Sequence, residues 1–266
     1  MTHDERLFSP ELVANNLEAG YASPRGYRLA FSGLSFNVKA GQCLAIVGES
    51  GCGKSTLAKC LVGLHRPTRG QLFIDGRSIL DKCNQKFAQR HIQMVFQDPM
   101  SSFDPRQTLG AAMLEPLIIQ KMFPPATWKQ RCMALLTDVG VDSSCLSRYP
   151  HQLSGGQLQR IALARALVVQ PSFLVADEPV SSVDVAIRAQ IVSLLDKLRL
   201  RHNLGLIFIG HDLAVIRQIS DVIMVIENGG IAEYGPTEAI CQNPQSYYTR
   251  SLIDHIPAFF GGSGGS

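Results

Sequence analysis

The chain has 266 residues, 45% of them hydrophobic, with 25 Lys+Arg against 22 Asp+Glu for a formal net charge of +3. That is long enough to bury a sizeable core in one large or two small domains, and too weakly and evenly basic for nucleic acid as the main partner. No run approaches the ~18 consecutive apolar residues of a membrane span, the acidic start Met1-Thr2-His3-Asp4-Glu5-Arg6 is unlike a secretory leader, and seven cysteines without a Cys-x-x-Cys pair argue for a cytosolic chain without a disulfide framework or zinc site.

In chain order, Leu29 to Val38 mixes aromatic and β-branched residues and predicts a strand, turned at Ala40-Gly41. Cys43 to Val47 is a short continuous apolar run, as in a parallel strand covered on both faces. Gly48-Glu49-Ser50-Gly51-Cys52-Gly53-Lys54-Ser55 follows and fits G-x-x-x-x-G-K-[ST] at every fixed position, with a helix predicted from Ser55 to Leu64. Strand, glycine-rich loop and helix in that order make a phosphate cradle. The glycines let backbone N–H groups approach the anion, and the helix start adds its positive end. Lys54 brings a point charge to the β- and γ-phosphates, and Ser55 a hydroxyl for Mg²⁺. Cys52 reads as a small residue fitting a tight turn; a thiol whose alkylation blocks ATP is the sharper alternative.

Gln71 to Gly76 predicts a strand ending in a turn, and Ile92 to Phe96 another, with Gln97 at its end as an uncharged amide able to touch Mg²⁺ or water. From about Thr108 to Tyr149, apolar residues recur at three- and four-residue spacing, as in Met133, Leu136 and Gly140, with a break at Pro124-Pro125. This predicts a helical insert between two halves of an α/β core. Met100, Phe103 and Leu109 at its start read either as docking contacts or as ordinary core.

Leu153-Ser154-Gly155-Gly156-Gln157 opens a further predicted helix marked by Leu158, Ile161, Ala162, Arg165, Ala166 and Val169. It repeats the physics of an anion site, with free N–H groups, a positive helix end and no Cβ in the way. A chain holding one nucleotide needs one such cradle. The second is free to close over a nucleotide bound by another subunit, which predicts a dimer with ATP in its interface. The strand Phe173 to Ala176 brings Asp177 to the carboxyl edge, placed to hold Mg²⁺ directly or through water. Glu178 projects differently and is suited to polarise the attacking water. After a helix from Val185 to Arg201 and a strand from Leu206 to Ile209, His211 falls at the same edge, where an imidazole binds a γ-phosphate oxygen and holds the water near Glu178. A helix from Leu213 to Ile219 and a β pair, Val222 to Ile226 with Ile231 to Tyr234 around Asn228-Gly229-Gly230, complete the pattern. Alternating strands and helices mean a parallel sheet flanked by helices. Residues 261–266 read as an appended Gly/Ser linker and are set apart from the fold.

These segments, in this order, resemble the ATP-binding cassette (ABC) family across residues 10–257. Gly48 to Ser55 is similar to its Walker A loop, Gln97 to its Q-loop and Leu153 to Gln157 to its LSGGQ signature. Phe173 to Asp177 with Glu178 resembles the Walker B strand and catalytic glutamate, Ser181-Ser182-Val183-Asp184 the D-loop, and His211 the switch histidine. Tyr21 is similar to the adenine-stacking aromatic, with Tyr27 close by as a rival. The resemblance implies an α/β fold with a RecA-like P-loop core, an antiparallel β subdomain and an α-helical insert of about residues 105–165 within a domain spanning 1–260. It implies ATP held by Tyr21 and by Gly48, Glu49, Ser50, Gly51, Cys52, Gly53, Lys54, Ser55 and Thr56, with Mg²⁺ on Ser55, Gln97 and Asp177. It also implies a second, similar ABC ATPase as heterodimer partner, two membrane permease subunits, an extracellular binding protein, and a peripheral place on the cytoplasmic face of the membrane.

A subfamily is suggested as well. Ile92 to Pro99, Asp104-Pro105-Arg106, Asn243-Pro244, Tyr247 to Leu252 and Ile256-Pro257 resemble the ATPases of peptide and nickel importers. Asp177-Glu178-Pro179-Val180-Ser181 is similar to the second ATPase of such a pair. The short stretch after Pro257 tilts the expectation toward nickel or a metal chelate, with di- or oligopeptide as the alternative cargo. Val180 and Val183 depart from the family's usual Thr and Leu without removing a catalytic group. Soluble ABC proteins acting on ribosomes or DNA fit less well, because the chain has one cassette and no long heptad insert. Intact Glu178 and His211 oppose a non-hydrolysing subunit.

Overall fold

The computed structural model describes residues 9–24, 26–180 and 185–254, the side chains of 185 and 186 excepted. The expected D-loop residue Asp184, Ile256-Pro257 and the Gly/Ser tail lie outside the described residues.

From the N-terminus, β1 (Glu11–Ser23) and β2 (Gly26–Lys39) form a long hairpin. β3 (Cys43–Val47) leads into α1 (Lys54–Leu61), then β4 (Arg69–Ile74), β5 (Arg77–Ser78), α2 (Gln85–His91) and β6 (Ile92–Val95). Three helices follow: α3 (Leu109–Gln120), α4 (Pro125–Asp138) and α5 (Gly155–Leu167). β7 (Phe173–Asp177), α6 (Val185–His202), β8 (Gly205–Ile209), α7 (Leu213–Ile219), β9 (Val222–Glu227), β10 (Gly230–Pro236), α8 (Thr237–Gln242) and α9 (Tyr247–Asp254) complete the described chain.

Two sheets result. One is antiparallel, in the order β2-β1-β4-β5. The other runs β10-β9-β3-β8-β7-β6, parallel throughout except where β10 turns back on β9. All five residues of β3, of β7 and of β8 are buried. Their side chains alternate between two cores. Cys43, Ala45, Val47, Leu174 and Ala176 join the helices α3 to α7, whereas Leu44, Ile46, Phe173 and Val175 pack with α1 and the antiparallel sheet. A strand covered on both faces needs no polar residue, which is why these read as continuous apolar runs. Parallel register lines up the carboxyl ends of β3, β8, β7 and β6, with Ile46 opposite Ile209, Ile209 opposite Asp177, and Ala176 opposite Val95.

Several expectations are corrected in detail. The helix predicted to reach Leu64 ends at Leu61. β6 ends at Val95, so Gln97 lies two residues past the strand rather than at its last position. In the insert, the break falls near Pro124-Pro125 as expected, with Pro125 serving as the first residue of α4, while Pro116 inside α3 does not interrupt that helix. The buried face of α4 is Cys132, Leu135 and Leu136; Met133 is 37% exposed. Phe103 and Leu109 are core, and Met100 is exposed.

Candidate functional site

The loop between β3 and α1 is shaped by residues that tolerate no side chain. Gly53, the N-cap of α1, has φ of 102°, and a Cβ there would lie 2.5 Å from the Ala30 carbonyl oxygen. A Cβ on Gly48 would lie 2.2 Å from the carbonyl oxygen of Ile226 in β9. The loop is therefore pinned against the sheets on its outer side while its backbone faces inward. Lys54 is 6% exposed, and its Nζ donates to the carbonyls of Gly48 at 2.7 Å and Glu49 at 2.8 Å. Cys52 Sγ lies 3.8 Å from the same ammonium. Ser50 and Gly51 form the exposed tip of the loop.

Ser55, the second residue of α1, donates from Oγ to Asp177 Oδ1 at 3.3 Å, across 122 residues of sequence. Asp177 is 7% exposed. Burial holds its carboxyl above the usual range, with the Glu178 carboxylate adding to this, while the Ser55 bond and the charges of Lys54 and Lys59 pull the other way. Such a desolvated carboxylate beside a hydroxyl suits a hard cation. Mg²⁺ takes one or two protein oxygens and completes its shell with phosphate and water. The residues therefore fit that ion, with Ser55 and Asp177 as its protein side.

Glu178 has φ of 45°, outside the region side chains prefer, and its N–H donates to the Ile209 carbonyl at 3.0 Å. The strained step turns its side chain away from that of Asp177 and toward the end of β8. There His211 Nδ1 lies 3.9 Å from Glu178 Oε1, too far for a hydrogen bond. Gln97 is exposed beyond β6, beside the end of β7. The edge thus presents, from neighbouring strands, a cradle, a buried acid, a half-buried acid, an imidazole and an amide.

The two candidate tyrosines are placed differently, Tyr21 beside α1 and Tyr27 beside Thr68. The Tyr21 hydroxyl lies 3.2 Å from Thr56 Oγ1 in the first turn of α1, and its ring is tilted against His65 at 4.6 Å between centroids. Tyr27 instead donates to Thr68 at 3.3 Å. Tyr21, 42% exposed, is the one brought beside the phosphate loop.

Ser154 is the N-cap of α5. Its Oγ accepts from Gln157 N at 3.3 Å, and Gln157 Oε1 accepts from Ser154 N at 3.2 Å, a reciprocal capping box. Ser154, Gly155 and Gln157 are exposed, and Leu153 packs on the core. Gly156 lies under Ile187 of α6. Among the described residues, no hydrogen bond or ion pair joins 153–157 to 48–56. The structure brings Ser55, Thr56, Lys54, Asp177, Glu178, His211 and Tyr21 to one locality, to which the α5 turn is not bonded among the described residues.

The sequence reading passed over Asp212 and Arg188. Asp212 Oδ1 caps α7 by accepting from Ala214 N and Val215 N, and its other oxygen meets Arg188 of α6 at 3.0 Å. The loop carrying His211 is thereby tied to the helix that follows residues 181–184. The signal available was an aspartate directly before a helical run.

A family model described as ABC transporter matches residues 31–181. The chain is 42% identical to the Di/tripeptide transport ATP-binding protein DppF of Pseudomonas aeruginosa (strain UCBPP-PA14), covering 92% of this chain and 76% of that protein. It is 42% identical to the Oligopeptide transport ATP-binding protein AppF of Bacillus subtilis (strain 168), covering 86% and 70%. Among solved structures, the dimeric post-hydrolysis ATP-binding cassette MJ0796 bound to ADP and Pi superposes with TM-score 0.76 at 27% identity, over 85% of this chain and 98% of that one. The cbiO1 protein from Clostridium perfringens, part of the ABC transporter complex cbiONQ, gives 0.78 at 25% identity, over 89% and 92%.

Proposed function

This chain belongs to the ABC transporter family, and from that premise we propose that it powers the uptake of peptides through partner membrane subunits. It is an ATP-hydrolysing subunit of an ABC importer; cargo, partners and the role of each residue are the proposed part. The observation that carries the catalytic reading is the Ser55–Asp177 bond of 3.3 Å, which joins the cradle to the strand carrying Glu178.

When ATP enters, its phosphates offer Lys54 a charge-assisted bond stronger than those to the Gly48 and Glu49 carbonyls, and the ammonium moves to them. The N–H groups from Gly51 to Ser55 and the start of α1 hold the β-phosphate, and Tyr21 and His65 offer a flat face for the base. Ser55, Asp177 and Gln97 would hold Mg²⁺, which would supply positive charge against the developing phosphate anion. Glu178 accepts a proton from the attacking water, and His211, facing it across 3.9 Å, holds that water and a γ-phosphate oxygen. The turn Ser154-Gly155-Gly156, exposed at Ser154 and Gly155, supplies its donors to a nucleotide held by a second cassette. That cassette is a similar ATPase, and two permeases bind the helical face around α3. No described helix is long and apolar enough to cross a membrane, which accords with peripheral attachment.

Peptide is preferred over nickel because the relatives named above are peptide-transport proteins, whereas the nickel expectation rested on chain length, which carries no chemistry of cargo. The test is reconstitution with the permeases and a second ATPase. A binding protein loaded with di- or tripeptide raises ATP hydrolysis several-fold. Stimulation by a nickel chelate and not by peptide overturns the cargo assignment.

A further inference from the structure

The C-terminal segment singled out in the sequence only as a subfamily marker reaches the nucleotide site. α9 starts at Tyr247, and the hydroxyl of Tyr248 accepts from the backbone N–H of Glu49, in the phosphate loop, at 2.8 Å across 199 residues of sequence. We propose that Tyr248 is a positioning residue for ATP binding, holding the first half of the phosphate loop in the shape that receives phosphate. The inference rests on the reading of Gly48 to Ser55 as the ATP cradle.

Three observations support it. First, the contact is anchored at its far end. Glu233 of β10 accepts from Gln245 N at 2.9 Å and Ser246 N at 3.2 Å, fixing the entry to α9, and Arg250 closes back on the Pro244 and Gln245 carbonyls. Tyr248, Leu252 and Ile253 pack on the larger core, so the hydroxyl sits on a fixed arm. Secondly, the Gly48–Glu49 stretch is also held by the bonds from Lys54 to its carbonyls and by a turn bond from the Cys52 N–H to the Glu49 carbonyl at 3.3 Å, which lies within the loop itself. Nucleotide draws Lys54 away to phosphate. The bond from Tyr248 uses the Glu49 N–H, not a carbonyl, and does not compete with the ligand for Lys54. It persists when the two Lys54 bonds are lost, and unlike the Cys52 turn bond it ties the loop to a separate element. Thirdly, loop geometry is what binds: N–H groups must converge on one anion, and the glycines that permit the shape also let it relax. A fixed outer holder reduces the ordering that ATP must otherwise impose.

The test uses the full-length chain. Tyr248→Phe keeps the ring and its packing and deletes the hydroxyl. Binding of a fluorescent ATP analogue weakens about three- to tenfold, the factor for one net hydrogen bond. In the reconstituted transporter KM for ATP rises by the same factor while kcat at saturation holds, since the bond is made in ground and transition states alike. Tyr247→Phe, at a side chain 85% exposed one position away, leaves both unchanged. Amide exchange on the wild-type, nucleotide-free chain gives a second readout independent of the variant: protection of the Glu49 N–H supports the proposal, and exchange at the rate of an open loop overturns it. A Tyr248→Phe chain with lowered melting temperature and unaltered ATP affinity also overturns it, because the contact is then a brace for α9 alone. Unaltered affinity beside a wild-type chain that binds ATP leaves the ATPase reading standing; a wild-type chain that binds no ATP removes both.

Discussion

Asp177 is set against its own burial. A carboxyl whose pKa is raised by the fold is disfavoured as an anion, so the penalty enters as pH rises through its ordinary value near 3.8 and persists at neutral pH. A cation relieves it. Asp177→Asn keeps an oxygen for the Ser55 hydroxyl and discards the charge. It is expected to raise the melting temperature of the nucleotide-free chain. It is also expected to weaken Mg²⁺-dependent ATP binding by about 10- to 100-fold, the range seen even for outer-shell partners of a metal. Calorimetry with and without Mg²⁺-ATP reads both, and a less stable Asn variant contradicts the account. Glu178, one residue on, escapes the same burial because its positive φ turns the chain toward β8. Adjacent acids of different exposure can then take different tasks.

At the scale of elements, legibility follows contiguity. The cradle and β3 could be read because strand, loop and helix start lie within a dozen residues. β1 could not. Leu12 and Ala14 face the core, then the bulge at Asn15-Asn16, with Asn16 at φ 49°, shifts the inward set to Leu17 and Ala19. The period-two signal breaks in the middle of the strand. α9 was missed because Glu233, which caps its approach, lies on another element. The three- and four-residue spacing that includes Met133 fits two overlapping faces of α4, and packing buries the one through Cys132 and Leu136 while Met133 stays 37% exposed. α5 shows how elements are wired. Its Arg165 meets Glu115 of α3 at 2.6 Å and also the Ser102 carbonyl, just past Gln97, so the helix begun by Ser154 touches the segment begun by Gln97. The dock of α9 has its own pH signature. Burial alone would lift the Glu233 carboxyl, but the N–H groups of Gln245 and Ser246 and the Arg250 charge hold it below the usual range. A depressed carboxyl contributes stability above its unfolded value, near 4.5, that is lost as pH falls through the folded value. Protection of the Gln245 and Ser246 amides, relative to their intrinsic exchange at each pH, therefore falls on acidification below about pH 4.5, and Glu233→Gln abolishes that fall. Equal acid sensitivity in the variant refutes the dock.

At the scale of the whole molecule, one parallel sheet puts four strand ends at a single edge, and the core on each face fixes their heights. Much of the site was legible because side chains at the carboxyl ends of parallel strands converge. The relation of that edge to the α5 turn was legible only as a surplus: two anion-binding starts, and one nucleotide to hold. The capping box sharpens the point. Ser154 receives the Gln157 N–H on its oxygen, so its remaining hydroxyl proton is what it can offer outward.

Because the cradle and the Ser154 turn do not meet within one chain, damage in a transporter should add up by location and not by number. Lys54→Ala here, joined with loss of the matching serine in its mate, cripples the same pocket twice and spares the other. The identical two lesions carried together as Lys54→Ala and Ser154→Ala in this chain ruin one pocket each. Transport and phosphate release should survive in the first pairing and vanish in the second; equal loss in both would mean that the turn serves its own chain.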